Sequence, residues 1–458
     1  MNLNNFKHIY FIGIGGIGMS AIARYFNSKN VSVSGYDRVK SDLCMELETE
    51  GISIHYNSDV QNIPNLVKQN KNESLIVYTP AIPNDHFQYQ YFRNNEYKLL
   101  KRAEVLGLIS QKYFTIAVAG THGKTTTSTI LAHLLNHSKT DCTAFLGGIS
   151  KNFSSNLLIS EKENLLVVEA DEYDKSFLQL NPDIAIITSV DEDHLDVYEN
   201  KENLIKTFSL FADNIKQNGL LILEDSVDSS IFNNQNYSII KYSSTKNSEC
   251  RAENIQVKNG KMNFDICLHD DRIKGFELCL AGTHNISNTI AAVLVAYKIG
   301  INNTNILEGI QTFLGIERRF DVQVRTEKLI YIDDYAHHPK EISETLNAAT
   351  QMFPQKNITV VFQPHLYSRT KDFADEFAES LSVANQLVLL DIYGAREKKI
   401  PDVNSEMLLK KCTNPKKEVC SKSDLVSVLK DKKIELLLTL GAGDISTEVH
   451  KITTMIKE

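Results

Sequence analysis

The stretch Gly120-Thr121-His122-Gly123-Lys124-Thr125-Thr126-Thr127 carries the residue types of a phosphate cradle. The apolar run Phe114–Ala119 before it reads as a buried strand, and residues 128–135 after it read as a helix. At such a junction backbone N–H groups turn inward and the helix N-terminus adds partial positive charge. Lys124 can reach the β- and γ-phosphates of a nucleotide, and the Thr125 hydroxyl can reach Mg²⁺. Gly120, Thr121, His122, Gly123 and Thr126 complete the expected nucleotide contacts. The spacing departs from the common P-loop, whose first Gly stands six residues before the Lys. Here that position is Val118, and the Gly comes four before, at Gly120.

A second Gly-rich turn, Gly13-Ile14-Gly15-Gly16-Ile17-Gly18, follows the apolar run His8–Ile12, and Asp37 lies 19 residues beyond Gly18. That spacing suits a diphosphate at a helix N-terminus with an acid on a ribose hydroxyl. A UDP-sugar satisfies it as well as a dinucleotide does, and close helix–strand packing alone would also use these glycines. Glu169 ends another apolar run, about 45 residues past the cradle, where an acid can hold Mg²⁺ directly or through water. His194 stands among Asp191, Asp193 and Asp196 after the next run. Mg²⁺ prefers oxygen ligands, so the imidazole is the less natural member of that set, and the acids also suit a helix cap. Asn285 and Asn288 are three residues apart and share one helix face. Arg318-Arg319-Phe320-Asp321 reads as a hinge or as a surface basic pair.

Strands alternating with helices must hold these groups. Residues 31–37 and 75–78 continue the first alternation, with the turn of residues 79–83 after it. Residues 165–168, 184–188 and 220–223 continue the second. Residues 233–279 alternate polar and apolar types and read as antiparallel strands appended to that sheet. A boundary falls near Gly315. Residues 329–333, Ile358–Phe362, Gln386–Leu390 and Leu436–Leu440 form a third alternation, each followed by polar chemistry. The fold class is therefore α/β with parallel sheets, whose ligands bind beyond the carboxyl ends of the strands.

The chain has 458 residues, 49 Lys plus Arg against 57 Asp plus Glu, and a net charge of −8. An acidic chain without a long basic cluster is a poor nucleic-acid binder. The seven cysteines form no C-x-x-C, which suggests neither a zinc site nor a disulfide framework and suits a reducing compartment. No apolar run approaches the ~20 residues a membrane span needs, so neither a membrane nor a nucleic acid is an expected partner and the expected location is the cytoplasm.

Taken in order, these motifs resemble the Mur ligases, the ATP-dependent amide ligases of peptidoglycan synthesis. The resemblance covers essentially the whole chain. It rests on residues 13–19 and 120–127, Glu169-Ala170-Asp171-Glu172, Asp193-His194-Leu195-Asp196, residues 282–288, Arg318-Arg319-Phe320, and residues 333–339, 363–370 and 441–444. It implies three domains: a Rossmann-like UDP-substrate domain over 1–110, a P-loop ATPase domain with a parallel central sheet over 111–316, and a Rossmann-like C-terminal ligase domain over 317–458. It implies ATP and Mg²⁺, and the joining of L-alanine to UDP-N-acetylmuramate. By resemblance, Lys124 supports the transferring phosphate, and Thr125, Glu169 and His194 organise the metal. Asn285, Asn288, Arg319 and Asp334 match nucleotide-side positions. Gly15, Gly16, Gly18, Asp37, Thr79 and Ala81 match the UDP site, and His337 and Arg369 match positions near muramate and amino acid. Arg102 suits a substrate phosphate. A ligase for a recycled tripeptide, a nicotinamide oxidoreductase and a non-catalytic nucleotide-binding protein are the competing readings.

Overall fold

A computed structural model describes residues 1–458 apart from 163, 192–197, 199, 233–235, 259, 270 and 396. The chain divides into two compact units. One comprises Met1–Glu253, Ile266–Lys274 and Ser287–Phe313, the other Asn254–Asp265, Gly275–Ile286 and Leu314–Glu458.

The first sheet holds five strands: β1 (His8–Ile12), β2 (Ser32–Tyr36), β3 (Ser53–His55), β4 (Ser74–Tyr78) and β5 (Lys98–Lys101). Their order is β3-β2-β1-β4-β5, all parallel. Each face of β1 packs into a separate apolar cluster, Ile9 and Phe11 in one and Tyr10 and Ile12 in the other. Burial on both faces explains its unbroken apolar sequence. The order reverses at β1, which opens a crevice beyond the carboxyl ends of β1, β2 and β4.

The second sheet holds ten strands: β6 (Phe114–Ala119), β7 (Thr143–Ser150), β8 (Ser155–Leu158), β9 (Leu165–Glu169), β10 (Ile184–Ile187), β11 (Gly219–Glu224), β12 (Tyr237–Ser243), β13 (Cys250–Lys258), β14 (Lys261–Leu268) and β15 (Asp271–Leu278). Their order is β15-β14-β13-β12-β11-β10-β6-β9-β7-β8. β6 lies between β9 and β10, parallel to both. The sequence reading of residues 233–279 as antiparallel needs correction at β12, which pairs parallel with β11 and with β13. Alternation reports a half-exposed strand and says nothing of its direction.

One apolar cluster runs through both of these layers and includes Ile22, Leu106, Phe145, Val168 and Phe208. A buried polar tether reinforces it. The Asn156 amide on β8 donates to the Ile17 carbonyl, at 2.5 Å, and to Ser20 Oγ, at 2.9 Å. Arg24, on the same helix (Ile17–Ser28), donates to Asn156 Oδ1 at 2.5 Å and pairs with Glu46 and Glu50. The helix that follows the first Gly turn is thereby fixed to the β7–β8 hairpin.

In the other unit, β16 (Asp321–Arg325), β17 (Ile330–Asp334), β18 (Ile358–Phe362), β19 (Gln386–Leu390), β20 (Lys416–Cys420) and β21 (Leu436–Leu440) take the order β16-β17-β21-β18-β19-β20. Only the edge strand β16 is antiparallel to its neighbour among these pairs. Its core includes Tyr331, Val361, Leu437 and Ile452. Among the described residues no helix is long and apolar enough to cross a membrane.

The tether makes a stability prediction. Asn156→Ala leaves the Arg24 guanidinium and the Ile17 carbonyl short of a buried partner, and should cost about 2 kcal/mol. Urea unfolding should show a lower midpoint with an unchanged slope.

Candidate active site

β6 delivers Gly120 at φ 134°, and the chain turns again at Gly123, φ 82°, which caps helix Lys124–His137. A side chain is strained at these angles. One at Gly123 would also overlap Asn288 Oδ1, so Asn288 lies against the cradle from helix Thr283–Lys298. The helix starts at Lys124 rather than at residue 128, because a Gly cap precedes the apolar pattern. The end of β10 braces the turn. Ser189 Oγ accepts from the His122 N–H at 2.9 Å and lies 2.9 Å from Thr121 Oγ1. Thr121 Oγ1 accepts from the Asp191 N–H at 3.0 Å, and Thr188 Oγ1 donates to the Ala119 carbonyl at 3.1 Å.

The Lys124 ammonium donates to Glu172 Oε1 at 2.9 Å, to Glu172 Oε2 at 2.7 Å and to the Gly120 carbonyl at 2.7 Å. Glu172 is fully buried. Burial works against the ammonium, but the carboxylates of Glu172, Asp171 and Glu169 outweigh it and hold the lysine above its usual pKa. Glu169 Oε2 accepts from the Gly147 N–H of β7 at 3.0 Å, and a Cβ at Gly147 would overlap that carboxylate. Thr125, in the first turn of the helix that follows β6, and Glu169, at the end of the neighbouring strand β9, thus offer a hydroxyl and a carboxylate, the oxygen donors that Mg²⁺ prefers. Among the described residues no three His, Cys, Asp or Glu side chains cluster as a metal site. Asp193, His194 and Asp196 lie outside the described residues.

At the first sheet, Gly13 has φ 87° and packs under Thr79, whose Cγ2 would stand 3.1 Å from a Cβ there. Thr79 Oγ1 accepts from the Ala81 N–H at 3.4 Å. Asp37 Oδ2 accepts from the Gly15 N–H at 2.8 Å, and Asp37 Oδ1 from the Val39 N–H at 3.1 Å. Asp37 therefore shapes the turn. A Cβ at Gly15 would overlap Cys44 Sγ, and one at Gly18 would stand 2.7 Å from an Arg102 guanidinium nitrogen. Gly16, at φ −68°, needs no special backbone freedom, and its nearest neighbours would stand 3.7 Å from a Cβ. Arg102 also pairs with Asp171 at 3.4 Å. Glu172 and Ser189 are the contacts the motifs alone did not single out; their partners are 48 and 67 residues away in the chain.

In the C-terminal sheet, Asp334 ends β17 and is buried. Its carboxylate accepts from the Phe320 N–H at 2.6 Å and the Ala336 N–H at 2.8 Å. The two neighbouring arginines separate in role. Arg318 bonds Asp333 Oδ2 at 3.1 Å and the Gly441 carbonyl at 2.5 Å, so it holds the loop. Both guanidiniums lie over the Tyr335 ring, each 5.2 Å from its centre, and the Arg319 charge also acts on the Asp334 carboxyl. His337 Nδ1 is 3.0 Å from the Tyr335 carbonyl and 3.2 Å from Glu341, and its ring stands edge-on to His365 at 5.8 Å. Arg369 is on the short helix Tyr367–Asp372, after Leu366 at φ 69°. Asn285, whose side chain donates to the Ala281 carbonyl at 2.7 Å, is buried at the start of helix Thr283–Lys298.

Burial raises the Asp334 carboxyl to about 6, against the opposing pull of the Arg319 charge and the two N–H groups. An unfolded aspartate titrates near ~3.9. The folded protein therefore binds this proton more tightly, and the resulting stability is full below ~3.9 and lost as pH rises through about 6. Asp334→Asn should remove that slope. Denaturant titrations across this window should show wild type losing on the order of 2 kcal/mol relative to the variant.

Residues 8–114 match the Mur ligase family catalytic domain, 118–296 the Mur ligase middle domain and 318–444 the Mur ligase glutamate ligase domain. The chain is 43% identical to a UDP-N-acetylmuramate–L-alanine ligase of Christiangramia forsetii, covering 98% of both. It is 46% identical to the protein of that name from Porphyromonas gingivalis, covering 96% of both. A crystal structure of UDP-N-acetylmuramate–alanine ligase from Thermotoga maritima superposes with a TM-score of 0.82 at 25% identity, covering 98% of this chain and 99% of that one. Similarity at this level, along the whole chain and through all three domains in order, makes the chain a member of the Mur ligase family, in its UDP-N-acetylmuramate–L-alanine ligase group.

Proposed function

We propose that this chain joins L-alanine to the carboxylate of UDP-N-acetylmuramate with ATP, as a step in peptidoglycan precursor synthesis in the cytoplasm. The observation that carries the reading is the Lys124 ammonium, kept charged at the end of β6, with Glu169 ending the adjacent strand β9. The full-length similarity to alanine ligases selects the substrates.

Phosphorylating a carboxylate brings two anions together, so the protein's task is positioning and charge neutralisation. Lys124 and the N–H groups of residues 120–126 hold the β- and γ-phosphates. The muramate carboxylate takes the γ-phosphate, giving ADP and an acyl phosphate. The L-alanine amine attacks the acyl carbon, and the tetrahedral intermediate collapses with loss of phosphate, leaving the amide of UDP-N-acetylmuramoyl-L-alanine. Thr125, Glu169 and His194 would hold Mg²⁺, which supplies further neutralisation of phosphate charge when bound. Asn285, Asn288, Arg319 and Asp334 act on the nucleotide side. Gly15, Gly16, Gly18, Asp37, Thr79 and Ala81 receive the UDP group, with Arg102 beside them. His337 and Arg369 serve the muramate and amino-acid end. The three-domain division at 110 and 316 belongs to the same reading.

Phosphate release from ATP and UDP-N-acetylmuramate should require L-alanine. A requirement for a tripeptide, or turnover of NAD(H), would instead favour one of the competing readings. Lys124→Ala should abolish ligation while leaving the affinity for UDP-N-acetylmuramate in calorimetric titration within about twofold, since one residue type at the ATP cradle is changed. Gly18→Val should do the reverse. Its side chain displaces Arg102 from the first Gly turn, so UDP-substrate affinity should fall by about tenfold or more while nucleotide affinity holds.

A further inference from the structure

The Lys124 ammonium has three N–H donors, and the structure directs them to the two oxygens of Glu172 and to the Gly120 carbonyl. Charge-assisted bonds of this kind are strong, and Glu172 is fully buried, so drawing the ammonium away removes a strong bond from a site screened from water. Glu172 is in turn fixed by its backbone. Its carbonyl accepts from the Tyr198 hydroxyl and, at 2.9 Å, from the Lys175 N–H. Two and three residues further on, Asp174 and Lys175 both take left-handed φ values, 53° and 56°. The Lys101–Asp174 ion pair, at 2.8 Å, and the Arg102–Asp171 pair, at 3.4 Å, hold the segment on either side. The carboxylate cannot readily follow the lysine if the lysine moves.

We propose that Glu172 is a positioning residue that acts through Lys124: it holds the ammonium at the acidic side of the cradle, and a nucleotide must draw at least one donor away from it to bind. This inference rests on the ATP reading above. Two consequences follow from one contact. Part of the intrinsic affinity for nucleotide is spent on the lysine, which is the reduction expected when only a fraction of the protein is binding-competent. In exchange, the lysine approaches the phosphates from one fixed direction, which is what phosphoryl transfer needs.

The experiment is isothermal titration of a non-hydrolysable ATP analogue with Mg²⁺ into wild type, Glu172→Gln, Lys124→Met and the double variant, with kcat measured for the first two. Glutamine keeps the size but offers one acceptor and no charge. In Glu172→Gln, analogue affinity should rise by about fivefold, and kcat should fall by about tenfold as the lysine loses its direction. In the Lys124→Met background the same change should leave analogue affinity unaltered. The double variant should also melt higher than Lys124→Met, because it no longer buries a carboxylate without its cation. Equal tightening in both backgrounds would mean a general loss of negative charge and would overturn the proposal. Unchanged or weaker binding by Glu172→Gln would overturn it too, while wild-type analogue binding leaves the ATP reading standing. Wild type that binds no analogue would sink both.

Discussion

The P-loop turn proposed to gather phosphate groups stands beside a run of acids, and the Lys124 ammonium reconciles the two. Glu169, Asp171 and Glu172 all act on it, and together they keep it charged in spite of burial. Each of the three also has a partner of its own. Glu169 is turned toward the β7 backbone at Gly147, Asp171 toward Arg102 beside Gly18, and Glu172 toward Lys124. Three of four consecutive residues thus touch the β7 backbone, the Arg102 guanidinium beside the first Gly turn, and the Lys124 ammonium of the P-loop. Their arrangement depends on β9 lying next to β6, which brings the two carboxyl ends together. Asp171 and Glu172 each face a cation while Glu169 faces a backbone N–H, and on the proposed function incoming phosphates would meet cations already placed.

The same economy holds the first two sheets together. A common apolar cluster is non-directional and would allow many docking angles. The Asn156 tether removes that freedom, because it accepts from Arg24 and donates to Ile17 and Ser20 at once. The β7–β8 hairpin therefore contacts the helix of the first Gly turn through Asn156 and the carboxylate of Glu169 through Gly147. The first Gly turn and the position expected to hold the metal are related through one hairpin, which suits chemistry that joins a UDP-linked carboxylate to a nucleotide phosphate.

Much of this was legible in the residues. β6, β18, β19 and β21 were read with their observed ends, because each is apolar along its length and bounded by glycine or polar residues. Edge strands escaped notice. β5 is Lys-Leu-Leu-Lys and β20 is Lys-Lys-Glu-Val-Cys, and charge on an exposed edge obscures the pattern that defines a buried strand. The direction of β12 was misread, since parallel and antiparallel pairing leave the same alternation in a half-exposed strand. The site divides in the same way. Positions set by a residue's own backbone or strand end, such as Gly123, Glu169 and Asp334, are legible in the sequence, and the structure finds Gly123 at φ 82° and the two acids at the ends of β9 and β17. Glu172 stood inside a quoted motif without a role, because its partner is 48 residues distant and only the fold brings them to 2.7 Å. Arg318 and Arg319 look equivalent as neighbours. Both lie over the Tyr335 ring, and what separates them is the bond of Arg318 to buried Asp333 and to the Gly441 carbonyl.

In the proposed reaction, charge-neutralising residues of the P-loop cradle allow a carboxylate to be phosphorylated before the amine attacks. The most direct measurement is the fate of oxygen. UDP-N-acetylmuramate labelled with ¹⁸O in its carboxylate would be turned over with ATP and L-alanine, and the released phosphate analysed by mass. The account predicts one carboxylate oxygen transferred to phosphate for each amide formed. Amide formation with unlabelled phosphate would contradict it.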